Sequence, residues 1–446
     1  MAAHHFEAID EERFKAFHWR ALITTGLGVF CDGYDISCIG IVLPTIAASF
    51  GIEITSTDSA ALAASALIGS AIGAMVFGFL GQNGRKRFYG LDVLVMGLAA
   101  LASAFAPNLA WLFVLRFILG VGIGADYVLS PVIMAEHANR ADRGRVIGLG
   151  FGTMWPLGAL VAAVFNMGLE AFDVPPDLVW RIVLGAGAIP ALGVLYLRRT
   201  MPETARYLAR LDKKGEEAAA VIRDITGKEV AAPPPDTRPF GEVFAKHANH
   251  IFAAALLWMV YDLVVYAAIL FGPNLIAKGL GLRPAEFTIL TEIIFVVPAS
   301  ILMSYFLIDQ IGRKPLQVWG FFASTLVLIV YAQLRTNFAD LPMLAFAVYG
   351  LFNVTQTGPG LVSGGGVFGV ELAPTRIRSV AQAITVAGGR IGAAISSYVF
   401  PIMFGVIGEA NSMYVLAGLS LLGAVLTQTL VPETSRVSLE AITEEV

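Results

Sequence analysis

Twelve apolar stretches of about 20 to 30 residues alternate with polar breaks along the chain, each long enough for a helix across a bilayer. They lie at 20–49, 58–80, 88–107, 110–137, 144–169 and 177–197, and then at 250–277, 285–308, 315–334, 340–369, 378–405 and 411–431. The pattern predicts an all-α integral membrane protein with 12 transmembrane helices, six in 20–197 and six in 250–431. Residues 1–19 and 432–446 are tails. Residues 198–249 are a polar linker in which short amphipathic helices are expected on the membrane surface.

The polar breaks are uneven in charge. Arg85, Lys86 and Arg87 follow the second stretch, and Arg140, Arg143 and Arg145 the fourth. Arg313 and Lys314 follow the eighth, and Arg376 and Arg378 the tenth. The linker is rich in Arg and Lys, whereas the opposite loops hold little beyond Lys278, Arg283 and Arg335. Basic loops stay in the cytoplasm, so both termini and the linker are expected there, with the protein in the plasma (cytoplasmic) membrane. The first residues lack the basic, apolar, small-residue order of a cleaved leader and read as a cytosolic tail. Composition agrees: 57% of residues are hydrophobic and 14% charged, against about 25% charged in soluble domains.

The two halves repeat each other. GRKR at 84–87 matches GRKP at 312–315, Arg143-Gly144 matches the Pro374–Arg378 segment, and MPETAR at 201–206 matches VPETSR at 431–436. Two six-helix halves with matched loops point to a transporter that alternates access around a site between the halves.

Ionisable residues inside the stretches are the candidate chemistry, because a buried charge is costly unless it faces a partner or water. In the fourth stretch, Arg116, Asp126 and Glu136 flank Gly120, Gly122 and Gly124, which permit close packing. Arg116 is expected to brace that helix against a carboxylate from another span. Asp32 and Asp35 are three apart on one face of the first helix, a spacing that tunes a carboxylate for proton exchange or leaves one of them to bond a neighbouring helix. Trp258, Asp262 and Tyr266 are four apart and stack along one face of the seventh. Asp262 and Arg390 each lie about 18 Å from the inner end of their helices, so they share a depth and can pair. An anion could compete with Asp262 for Arg390, or the two could form a static ion pair. Asp92 stands near the end of its span, where it could reach water. Glu292 is expected to face the cavity or to be paired. Trp155, before Pro156, is either a cavity wall or a kink-filling aromatic.

The loops resemble those of the major facilitator superfamily, whose D-x-x-G-R-K pattern appears as Asp309, Gly312, Arg313 and Lys314. In the first half Gly84, Arg85 and Lys86 match, but Gly81 stands where the Asp is expected. Glu136 with Arg143, and Glu371 with Arg376, complete the gating motifs. Within the superfamily the chain most resembles the phosphate:proton symporters. GIGADYVLS at 122–130 is similar to that family's GIGGDYPLS, and Trp258, Asp262 and Tyr266 to its W-x3-D-x3-Y. The resemblance implies two pseudo-symmetric six-helix bundles, a proton route through Asp32, Asp92 and Asp126, and an anion site lined by Tyr127, Trp258, Asp262 and Tyr266 with Arg390 paired to Asp262; Asp35 and Asp262 are further proton-coupling candidates, and Trp155 and Gln356 further candidate contacts. Two positions depart from it: Trp155 replaces a Gln, and QTGPG at 356–360 lacks both asparagines of N-x-G-P-N.

The expected function is therefore proton-coupled symport of inorganic phosphate or a similar small anion, with the lipid bilayer and protons as the other partners and a monomer as the working unit. A carrier of organic acids or sugars is the alternative, and a non-transporting substrate sensor is the alternative of another class. No cofactor, metal, nucleotide or nucleic acid is expected. The histidines lie in tails, loops and span ends, and Gly364–Gly366 lacks the Gly-Lys-Ser/Thr of a phosphate loop. With no nucleophile–base or metal constellation, the chain is not expected to be an enzyme.

Overall fold

Backbone in hydrocarbon must satisfy its own hydrogen bonds, so the apolar stretches fold as helices. The computed structural model describes residues 5–53, 57–338 and 340–445, the side chains of 59, 60, 270–276, 278 and 279 excepted. It contains twelve long helical segments: α1 Ala16–Phe50, α2 Thr57–Leu80, α3 Leu91–Ser103, α4 Leu109–His137, α5 Arg143–Ala171, α6 Pro176–Arg199, α7 Phe240–Gly279, α8 Pro284–Ile311, α9 Arg313–Leu334, α10 342–364, α11 Arg378–Ile407 and α12 Glu409–Leu430. Among the described residues there is no strand. Ten of the twelve are long and apolar enough to cross a membrane; α3 and α10 fall short.

Two expectations about length need correction. The third helix is 13 residues long, because the chain first forms a separate turn at Arg85–Phe88 and then bends at Tyr89 and Gly90. The seventh begins at Phe240, ten residues before its apolar run, because a helix once nucleated continues through polar residues that face water. The linker does hold short helices, at Ala205–Arg210 and Gly215–Thr226.

Small residues set the closest helix contacts. A methyl group on Gly120 or Gly124 of α4 would collide with the carbonyls of Ala66 and Ser70 on α2, and one on Gly69 or Gly73 of α2 with the carbonyls of Phe117 and Val121 on α4. This seam lets the two backbones touch. Between the halves, α2 packs on α11, where Gly78 faces Ala383.

On the side that carries both tails and the linker, here the tail face, the halves are tied by buried ion pairs. Arg143 donates to Glu371 at 2.6 Å, and Arg378 to Glu136 at 3.0 Å, so each half supplies the arginine for the other's glutamate. Arg85 joins Glu136 at 3.3 Å, and Arg313 joins Glu371 at 3.3 Å and Asp309 at 2.6 Å. Asp309 also accepts the amides of Gly144 at 3.0 Å and Arg145 at 2.6 Å, capping α5 across the interface. Gly84 and Gly312, at φ 130° and 106°, make the turns that aim the two loop arginines inward. Lys86 and Lys314 take part through their amides, which donate to Glu203 and Glu433 at 3.0 Å each. Thr204 and Thr434 donate to Glu136 and Glu371.

The tails close over this layer. Arg206 of the linker bonds Asp10 of the N-terminal tail at 2.8 Å and Glu440 of the C-terminal tail at 2.7 Å. Burial pushes the Glu440 carboxyl up, but the guanidinium beside it outweighs burial and holds it at about 2.

Candidate functional site

A cavity of about 120 Å³ lies between the halves. Tyr127 of α4 and Phe151, Gly152, Trp155 and Pro156 of α5 form one wall. Tyr261, Asp262, Val265, Tyr266 and Ile269 of α7, Glu292, Val296 and Ser300 of α8, Asn353, Gln356, Thr357, Gly360, Leu361 and Gly364 of α10, and Arg390 of α11 form the rest.

The helices that carry this lining are irregular where they meet it. α5 loosens into a π-helical turn at Gly148–Thr153, α8 at Glu292–Val296 and Met303–Leu307, and α10 at Gly360–Gly364. Pro156 lies just past the first of these and Pro359 just before the last. Such turns leave backbone groups unpaired and redirect side chains, and they recur at functional sites.

Arg390 is the one arginine among the described residues of the wall. Its guanidinium carbon lies 4.5 Å from the centre of the Tyr127 ring, 5.6 Å from Trp258 and 5.5 Å from Tyr266. It donates to the Tyr266 hydroxyl, while its Nε has no partner. The nearest carboxylate oxygen of Asp262 is 3.6 Å away, and neither oxygen accepts a hydrogen bond from the described residues. The pair is close enough to attract and too far for a charge-assisted hydrogen bond, which needs about 2.7–2.9 Å. Aromatic faces steady the cation without neutralising it. The arrangement presents positive charge, held in a fixed orientation, to a small space.

Of the seven residues read from the sequence as contacts, six line this cavity: Tyr127, Trp155, Asp262, Tyr266, Gln356 and Arg390. Trp258 does not. It is fully buried behind Arg390, because its ring fills the space that Gly389 leaves on α11. Trp155 is a wall residue, with its carbonyl against Gly33 of α1. Gln356 donates to Ser324 at 2.6 Å, leaving its oxygen free. Glu292 lines the cavity without an ion pair among the described residues.

The other acids lie outside the cavity, in the first half. Asp126 and Asp92 both bind Arg198, the former at 2.6 Å. Ser130 donates to Asp126 at 2.5 Å and lies 3.2 Å from the Tyr89 hydroxyl, and Arg198 stacks 4.3 Å over the Tyr89 ring. Asp92 is therefore fully buried, not in reach of water, because the tail-face end of α6 folds over it. Asp32 is fully buried, and among the described residues neither of its oxygens has a hydrogen-bond partner. Asp35 is likewise unpartnered, and Arg116 donates at 2.9 Å to its backbone carbonyl and not to its carboxylate.

Sequence reasoning missed two arginines. Arg198 stands in an Arg-Arg pair at a helix end, which reads as a topology signal. Arg378 was passed over for Arg376, which is half-buried and joins none of the ion pairs among the described residues. The spacing held the signal: Glu136 to Arg143 is seven residues, and so is Glu371 to Arg378.

Residues 21–446 match the family described as "Sugar (and other) transporter". The "Probable inorganic phosphate transporter 1-6" of Arabidopsis thaliana is 31% identical, over 98% of this chain and 96% of its own. The "Inorganic phosphate transporter 1-6" of Oryza sativa subsp. japonica is 32% identical, over 97% and 93%. Among solved structures, that of the major facilitator superfamily proton:xylose symporter XylE bound to 6-bromo-6-deoxy-D-glucose superposes with a TM-score of 0.83 at 21% identity, covering 96% of this chain and 98% of that one. The twelve-helix architecture is that fold.

Proposed function

We propose a substrate and a driving ion for this chain, which belongs to the sugar (and other) transporter family and is a membrane transporter, not an enzyme. It carries inorganic phosphate, or an oxyanion of similar size, together with protons. The observation that carries the reading is Arg390, a permanently charged planar group in the cavity wall whose nearest Asp262 carboxylate oxygen is 3.6 Å away. An oxyanion in the cavity competes with Asp262 for that guanidinium. A proton on Asp262 removes the competitor, so proton and anion load together and are released together. Tyr127, Tyr266 and Gln356 offer hydroxyl and amide contacts, Trp155 an aromatic wall, and Trp258 backs the guanidinium.

Residues 20–197 and 250–431 are proposed to rock as two bodies around this cavity, joined by the linker 198–249. The tail face is assigned to the cytoplasm of a plasma membrane, and the working unit is one chain. Glu136, Arg143, Asp309, Arg313, Glu371 and Arg378 then form the inner gate, shut here, and the anion loads from the outer face. Asp32, Asp92 and Asp126 are proposed as a proton route on the first bundle, with Arg198 holding two of them.

The test is uptake of labelled phosphate by the purified protein in liposomes, with and without an inward proton gradient. Gradient-driven uptake that Asp262→Asn abolishes is the expected result. Uptake indifferent to the gradient, or driven only for organic acids that outcompete phosphate, overturns the assignment.

A further inference from the structure

Glu292 opens the π-helical turn Glu292–Val296 of α8. The wider turn places a carboxylate in the wall of the cavity that holds Arg390, at 8% exposure. Its Oε2 is buried and has no hydrogen-bond partner among the described residues. A structural glutamate inside a membrane protein is normally paired or hydrogen-bonded.

Among the described residues the surrounding charges are otherwise engaged. On α7, Tyr261, Asp262 and Tyr266 face the cavity, and on α11 Arg390 is held by Tyr266 and Asp262. On α10, Tyr349 donates to the Ala268 carbonyl, and Asn353 is uncharged. Toward the outer end of α8, Arg283 bonds Glu286 at 2.7 Å and Glu170 of α5 at 2.8 Å. Tyr127 of α4 stacks on Arg390. Among the described residues no cation pairs with Glu292.

An ionised carboxylate there has two costs. It loses water without gaining a partner, and it repels any anion that enters the same cavity. Both vanish when the group carries a proton. We propose that Glu292 is a second proton-binding site of the anion cavity: protonated while the anion is bound, ionised when the empty cavity faces the side poor in protons. The proton enters from the outer water with the anion and leaves to the inner water after it. Anion affinity then rises with acidity for a reason separate from the Asp262–Arg390 pair. This rests on the phosphate–proton reading above.

The experiment compares Glu292→Gln and Glu292→Asp with the parent in sodium-free liposomes, measuring the KM for phosphate from about pH 6 to about pH 8. Glutamine mimics the protonated form. It is expected to lower KM at the alkaline end about fivefold to tenfold, flatten the profile, and reduce the protons moved per phosphate by one. Aspartate is expected to keep the pH dependence with a displaced midpoint, which also serves if the glutamine variant does not fold. A Glu292→Gln profile superimposable on the parent's overturns the proposal, as does a cavity that needs sodium in place of the proton. A second readout does not depend on phosphate: a hydrophobic carbodiimide modifies protonated carboxyl groups, and mass spectrometry locates the adduct. Modification of Glu292 that falls from about pH 6 to about pH 8 supports the site even if the parent carries another anion. Modification that does not change with pH, or none, overturns it.

Discussion

The two bundles bury charge in opposite ways. In the first, Arg198 grips Asp126 at 2.6 Å and Asp92 as well, Ser130 adds a bond at 2.5 Å, and the group is sealed away from the cavity. In the second, Arg390 and Asp262 stand 3.6 Å apart without a hydrogen bond, in the cavity wall. A sealed and closely paired cluster is expensive to disturb, because removing one partner leaves a bare charge. A loose pair beside open space is cheap to separate, because an incoming anion replaces what the arginine loses. On the proposal above, the first bundle keeps two carboxylates of its proton route tightly held by one arginine, and the second leaves its pair free to exchange partners.

The largest effect that could break this comparison is on transport. Arg390→Ala removes the only cation among the described residues of the wall, and initial uptake in liposomes is expected to fall about 100-fold or more, the scale of an unpaired buried charge. Arg390→Lys keeps the charge but loses the planar fork, and about a tenfold loss is expected. Uptake within twofold of the parent in either variant would remove Arg390 from the site.

Stability should respond in the reverse order. Arg198→Gln strands two buried carboxylates and is expected to destabilise by about 3–5 kcal/mol, read as a lower Tm in detergent. Adding Asp126→Asn should restore part of that Tm. Arg390→Gln should lower Tm less, because Asp262 borders the cavity. A larger drop for Arg390→Gln than for Arg198→Gln would reverse the assignment of roles.

The smallest effect concerns the gate, where the halves also differ. Asp309 caps the α5 amides of the other half, whereas its counterpart is Gly81. A side chain at Gly81 would reach Ser379 at 3.1 Å, and the Ser379 hydroxyl has no partner. Asp309→Asn is expected to expose the tail face, so that a cysteine at Ser304, which faces Gly148, labels several times faster. Gly81→Asp should supply the missing cap, worth about 1 kcal/mol, and slow that labelling a few-fold. Faster labelling in Gly81→Asp would show that the space cannot accept the carboxylate.

Much of this was legible in the chain. Twelve apolar runs predict twelve helices because hydrocarbon leaves a lone backbone segment no other way to bond itself. The loop repeats predict two matched halves, and six cavity residues could be named from helical spacing, shared depth and family resemblance. What the chain could not reveal is which charges meet. Arg143 finds Glu371 at a separation of 228 residues, and Arg378 finds Glu136 at 242. Arg198 turns inward only because α6 packs over α3 and α1, and Trp258 retreats behind Arg390 only because Gly389 leaves it room. Local sequence sets what a segment can bury, through propensity and periodicity that act within a few residues. Which buried charges share a site depends on packing between segments distant in the chain, and only the tertiary structure decides it.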